Sequence, residues 1–147
     1  MNTEHETHMR RAIELARAQH GRTGENPSVG CVIVGPDGKR ISEGATADGG
    51  RPHAEEMALS PLNGALAKGA VAYVTLEPCR ERSNGGAACS QRLVEAGVTQ
   101  VVISVMDQHP NGAGGKAAIE AAGIDVVAGL LEAEAAPLYE DFFASLS

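Results

Sequence analysis

Three short stretches of the 147-residue sequence carry side chains suited to making and breaking bonds: His53-Ala54-Glu55, Pro78-Cys79 and Cys89. One imidazole and two thiols form a set that zinc favours, and three protein ligands leave a fourth tetrahedral position for water. Each falls at the edge of an element: His53 where a helix opens, Cys79 just past a strand, Cys89 at the next helix start. Helix N-termini carry partial positive charge, which lowers thiol pKa values and holds sulfur as the thiolate a metal requires. Zinc in such a set brings the pKa of its water to about 7. Glu55 lies two residues beyond the histidine, diverges from the ligand direction and can approach that water without binding the metal. A carboxylate there can take a proton from water, give it to a ring nitrogen and then protonate a departing amine. Two plainer readings stand beside this one: unrelated residues with packing and surface roles, or a structural zinc without catalysis. Structural sites are usually closed by a fourth ligand, and Glu55 beside only three argues for an open one.

The elements that must hold these residues are legible from periodicity. Met9, Ile13 and Ala16 recur at helical spacing, with Arg10, Arg11, Glu14 and Arg17 on the other sides, predicting a helix over 7–19 stopped by Gly21. Val29 to Val34 is a near-continuous apolar run, as in a strand buried on both faces. Pro36-Asp37-Gly38 is turn chemistry, so 39–44 returns as an antiparallel strand. Pro52 is expected in the first turn of a helix that runs from His53 to about Leu59. Strands follow over 71–76, 98–105 and 124–127, with helices over 87–96 and 116–122 between them. Leu131, Leu138 and Phe142 give a last helical face that Pro137 divides or kinks. Strand and helix alternate from Val71 to Val127, which implies right-handed crossovers and parallel strands. The expectation is one domain over 1–147, a three-layer α/β/α sandwich with a mixed five-stranded sheet.

Composition narrows the partners. Apolar residues make up 43% and charged residues 21%, ordinary values for a globular protein. No run approaches the ~20 apolar residues of a membrane span, and Met1 to Arg10 lack the apolar core of a signal peptide; a cytoplasmic protein with no membrane partner is expected. Three cysteines cannot all pair, which leaves metal binding, nucleophilic chemistry or packing. The net charge is −7, with 19 acidic and 12 basic residues, and there is no Trp. Such a surface would mostly repel phosphate backbones, and with two Tyr and two Phe it offers few stacking platforms. A small molecule is therefore favoured over nucleic acid.

The motifs together resemble the cytidine deaminase-like zinc family, and within it the deaminase branch of bacterial riboflavin biosynthesis. The similarity runs through nearly the whole chain: the opening helix, Asn26-Pro27-Ser28-Val29-Gly30-Cys31-Val32-Ile33-Val34, His53-Ala54-Glu55, Tyr73-Val74-Thr75-Leu76-Glu77-Pro78-Cys79, Glu95-Ala96-Gly97-Val98, and the loop Asp107 to Gly115. The resemblance implies a zinc-dependent hydrolytic deaminase, with Zn2+ on His53, Cys79 and Cys89, Glu55 as proton shuttle and Asn26 at the substrate ring. It implies a small heterocyclic substrate, a ribosylated diaminopyrimidinone phosphate, and self-association as a homo-oligomer. The reductase domain often fused to that activity is absent from this sequence, so a separate protein would do that step.

Departures gather in the expected substrate walls. Nine residues separate Cys79 from Cys89, and that stretch lacks the branch's Ser-His pair. Thr46 stands where the branch places a histidine, and Asp107-Gln108-His109-Pro110 replaces an Asp-Pro-Asn-Pro loop. Arg80 and Arg82 are candidates to clamp a substrate phosphate, with a solvated charged loop as the plainer reading. His109 is a candidate contact at a strand end, against an ordinary loop histidine. Asn111 to Gly115 reads as a Gly-rich turn, Cys31 as core packing, and His5, His8 and His20 as surface. The altered walls leave room for a different base, nucleoside or specialised metabolite. A nucleic-acid editor and a non-catalytic zinc-stabilised module are the rivals from other classes.

Overall fold

The computed structural model describes residues 3–24, 26–62, 67–79, 88–107 and 114–144. In chain order the elements are α1 (Thr3–Gln19), β1 (Gly30–Val34), β2 (Arg40–Ala45), α2 (Ala54–Leu59), β3 (Val71–Leu76), α3 (Cys89–Ala96), β4 (Gln100–Val105), α4 (Gly115–Ala121), β5 (Asp125–Ala128), α5 (Glu132–Ala135) and α6 (Glu140–Ala144). Short 3-10 turns span Asp48–Gly50 and Ala136–Leu138.

The sheet order is β2-β1-β3-β4-β5. β1 pairs antiparallel with both β2 and β3, whereas β3–β4 and β4–β5 are parallel. This is the mixed five-stranded sheet expected from the sequence. The tight connection at 35–39 forces the first reversal, with Gly35 N–H donating to Lys39 O at 2.8 Å and Asp37 accepting Lys39 N–H at 3.1 Å. Helical crossovers make the later pairs parallel, as a strand needs a long return path to run alongside its predecessor.

Two glycines show how the layers close on the sheet. A Cβ on Gly30 would stand 1.8 Å from Ala12 O, so only glycine lets α1 lie on that face of β1. A Cβ on Gly44 would stand 2.6 Å from Ala58 N, so the same device seats α2 on the opposite face. Because Gly44 pairs with Cys31, Cys31 shares the α2 side and Gly30 the α1 side. α3 packs between α2 and α4, completing that layer. The C-terminal segment lies beside α1, where Glu134 meets Arg10 at 3.3 Å and accepts from Arg17 through its carbonyl at 3.2 Å. The core joins Met9 and Ile13 of α1, the inner strands, Leu93 of α3 and Ile119 of α4 in one buried cluster.

Three expectations need correction. α1 begins at Thr3 rather than Thr7; its first turn is polar and carries Glu4 and Glu6, which favour a helix start through the dipole but leave no apolar periodicity. Pro52 follows a cis peptide bond and lies before the N-cap His53, not within the helix. His5 and His8 are not idle surface residues. Both are half-buried against Tyr73, with His5 Nδ1 2.6 Å from its hydroxyl and the His8 ring centroid 5.1 Å from the Tyr73 ring.

Candidate active site

His53 is the N-cap of α2, and its N–H donates to the Glu56 carboxylate at 3.4 Å. Cys79 follows β3 by two residues after Glu77 and Pro78, and Cys89 is the first residue of α3. The sequence therefore folds so that two helix starts and one strand end converge. Glu56 also reaches Arg92 of α3 at 3.7 Å, an ion pair that ties together the helices bearing two of the three residues.

The imidazole and the two sulfurs lie within 4.8 Å of one another, the group of ligating side chains found among the described residues. Cys89 Sγ stands 3.4 Å from His53 Nδ1, and Cys89 N–H donates to Cys79 Sγ at 3.2 Å. A hydrogen bond from the Cys89 thiol, with help from His53 and the Cys89 amide, holds Cys79 down at about 4. The Cys89 thiol is pushed far up, because it keeps the proton that Cys79 accepts and is itself buried. A divalent cation there would be held by one imidazole and two thiolates, so the donor set fits zinc in type and number.

Glu55 follows on α2, 3% exposed. Burial pushes its carboxyl up to about 7, and the negative Cys79 adds to the rise, while His53 and Cys89 oppose it. Cys31 faces the same layer from β1, fully buried, with its thiol raised by burial and by Glu55. That placement fits the packing role expected for Cys31.

The surrounding residues are each engaged within the fold. Asn26 is half-buried and donates its side-chain amide to Gly50 O at 2.9 Å, joining the 23–26 and 48–50 loops. Thr46, expected on a substrate wall, is 2% exposed and accepts the Val29 N–H at 2.9 Å. Its hydroxyl is engaged in tying the end of β2 to the start of β1, so it shapes the fold rather than facing an open cleft. Asp107 is half-buried just beyond β4, and its N–H donates to Glu77 at 3.1 Å. Arg80, Arg82 and His109 lie outside the described residues.

Glu77 had not been singled out. It is 4% exposed; one carboxylate oxygen accepts the Asp107 N–H, and the other accepts the Lys116 N–H at 2.8 Å. Its signal in the sequence is an acid at the end of an otherwise apolar strand, immediately before Pro78-Cys79.

The description "cytidine and deoxycytidylate deaminase zinc-binding region" fits residues 2–105 of this chain. The Escherichia coli (strain K12) riboflavin biosynthesis protein RibD is 46% identical over 138 residues, covering 93% of this chain and 37% of that protein. RibD of Aquifex aeolicus is 40% identical over 141 residues, covering 95% of this chain and 39% of its own length. The chain thus spans well under half the length of these relatives. Among solved structures, the Thermotoga maritima diaminohydroxyphosphoribosylaminopyrimidine deaminase/5-amino-6-(5-phosphoribosylamino)uracil reductase superposes with a TM-score of 0.91 at 38% identity, over 98% of this chain and 41% of that one. No helix of the described residues is long and apolar enough to cross a membrane. With the fold, the three-donor cluster and the sequence match all in agreement, this chain belongs to the zinc-binding cytidine and deoxycytidylate deaminase family.

Proposed function

We propose that the chain is a hydrolytic deaminase of a small amino-substituted pyrimidine, with the ribosylated diaminopyrimidinone phosphate of riboflavin synthesis as its substrate. The observation that carries the reading is a three-ligand metal set with a buried carboxylate on the residue but one after its histidine. His53, Cys79 and Cys89 hold the ion. When bound, zinc in such a set lowers the pKa of water to about 7 and so makes a nucleophile available at neutral pH.

Glu55 does the proton work. It takes a proton from the attacking water as oxygen bonds to the ring carbon bearing the amine, and passes that proton to the adjacent ring nitrogen. It then delivers the second water proton to the amine nitrogen, the C–N bond breaks, and ammonia leaves as the carbonyl forms. One water is consumed and one ammonia released. Burial of Glu55 removes bulk water as a competing proton donor. The pyrimidine and its phosphate are supported by the similarity to the RibD relatives and the Thermotoga maritima deaminase/reductase. The net charge of −7 supports a small molecule over an oligonucleotide.

The test is ammonia release by the zinc-loaded protein from the diaminopyrimidinone ribosyl phosphate, its dephosphorylated form, cytosine and guanine compounds, and oligonucleotides. The phosphorylated diaminopyrimidinone is expected to turn over fastest and oligonucleotides not at all. Glu55→Gln should lower kcat by about a thousandfold or more with zinc retained. Full activity in that variant removes Glu55 from the mechanism, and preference for another base replaces the substrate.

A further inference from the structure

We infer that Glu77 is a positioning residue that holds the Cys79 metal donor and the Asp107 wall in one register. Burying a carboxylate is costly unless it is well hydrogen-bonded, and Glu77 is buried with both oxygens committed to backbone donors. Oε1 accepts from Asp107 N–H at 3.1 Å and Oε2 from Lys116 N–H at 2.8 Å. Its own N–H donates to Val105 O at 2.8 Å. A single residue thus fastens the end of β3 to the end of β4 and to the opening of α4. Only a carboxylate offers two charged acceptors on so short an arm, and charge-assisted bonds of this kind are about twice as strong as neutral ones.

The next two residues continue the attachment. Pro78 O packs so close to Gly115 that a Cβ there would stand 1.7 Å away. Cys79 O accepts Ser90 N–H at 3.1 Å, and Cys79 Sγ accepts Cys89 N–H at 3.2 Å. Glu77 lies two peptide units from the donor sulfur, so a shift of its anchor is transmitted with little slack. The same anchor fixes the Asp107 backbone just beyond β4. Side chains that orient metal ligands without touching the metal commonly carry about 10–100-fold of its affinity.

This inference rests on the metal set proposed above, not on the identity of the substrate, and its test needs no substrate. Zinc affinity is measured by competition with a chromophoric chelator on the full chain, its Glu77→Gln, Lys116→Pro and double variants, and Tyr139→Phe. Glu77→Gln keeps shape but turns one acceptor into a donor facing an N–H; Lys116→Pro removes one of the two N–H partners. Each is expected to weaken zinc about tenfold or more, with the double variant well short of the product of the two. Tyr139→Phe, which loosens the opposite face of the sheet, should leave zinc affinity within about twofold. If Glu77→Gln does not fold, Lys116→Pro alone carries the test. Zinc affinity unchanged in Glu77→Gln or in Lys116→Pro, strict multiplicativity of the pair, or equal weakening in Tyr139→Phe overturns the positioning role. Absence of zinc binding by the unaltered chain overturns the metal set itself and this inference with it.

Discussion

The two faces of the sheet bury polar groups on opposite terms. On the α1 face, Met9, Ala12, Ile13 and Ala16 are sealed from solvent, and four polar groups beside them form a hydrogen-bonded chain. Gly30 N–H donates to Thr75 Oγ1 at 3.0 Å, the Thr75 and Tyr139 hydroxyls meet at 2.6 Å, and Tyr139 O–H donates to Ser28 O at 2.8 Å. These four groups satisfy one another without an ionised partner, while the buried Ser104 hydroxyl, beside Thr75 on the same face, has no hydrogen-bond partner among the described residues. On the α2 face, Glu55, Cys31, Cys79 and Cys89 are packed together, and the pKa of each is displaced chiefly by burial or by the others. One face ties its polar groups chiefly to one another; the other gathers the side chains that would hold a cation. Stability and reactivity are thus divided across a single sheet, with β1 and β3 contributing alternate residues to each.

The sharpest way to break this contrast is to remove the ion. Cys89→Ala, or chelation of the zinc-loaded protein, should abolish turnover by about a thousandfold or more, since the nucleophile depends on the metal. It should also destabilise the fold by about 4 kcal/mol relative to protein holding zinc at a thousandfold excess over Kd. Amide hydrogen exchange checks the division: α2 and α3 should lose protection while α1 keeps it. Equal loss on both faces would show that the layers are one cooperative unit.

A smaller effect is expected from the α1 face. Tyr139→Phe leaves the Thr75 hydroxyl and Ser28 carbonyl without their partner, which costs about 1–3 kcal/mol. Thermal unfolding should register that loss while kcat/KM stays within about twofold. A large fall in activity would mean that the hydroxyl chain serves the site as well.

The least effect lies outside both faces. Arg11 pairs with Glu43 at 2.7 Å on the rim between α1 and β2, and the guanidinium holds the Glu43 carboxyl below its usual range. A carboxyl depressed in the folded state stabilises at pH above its unfolded value, and that gain disappears as pH falls through the folded value. Arg11→Ala should therefore cost no more than about 1 kcal/mol near pH 7, because the pair is solvent-exposed. The gap in Tm between the two proteins should close on acidification toward pH 3. A gap that widens on acidification would mean that Arg11 acts through packing.

Much of the scaffold was legible because its signals are local. β3 runs over Val71–Leu76 as its apolar run predicts, and Gly97 ends α3 where expected, at a left-handed φ of 84°. Pro137 divides the last helical stretch into α5, a 3-10 turn and α6. The start of α1 was missed since Thr3 to Glu6 include no apolar residue to mark a face. The surroundings of Thr46 were not legible for a different reason: the family branch says which position it occupies, whereas its burial against Val29 depends on how β2 ends beside β1. Glu77 read as one letter of a motif, because its partners Asp107 and Lys116 are 30 and 39 residues away.

The sequence by itself determined the donor types, the element edges on which they sit and the sheet's mixed connectivity, since each follows from side-chain chemistry or from periodicity within about ten residues. Only the tertiary structure decided which polar groups would be tied to one another and which would converge as a ligand set. That outcome depends on desolvation and on backbone donors brought from distant segments, and neither is written in local spacing.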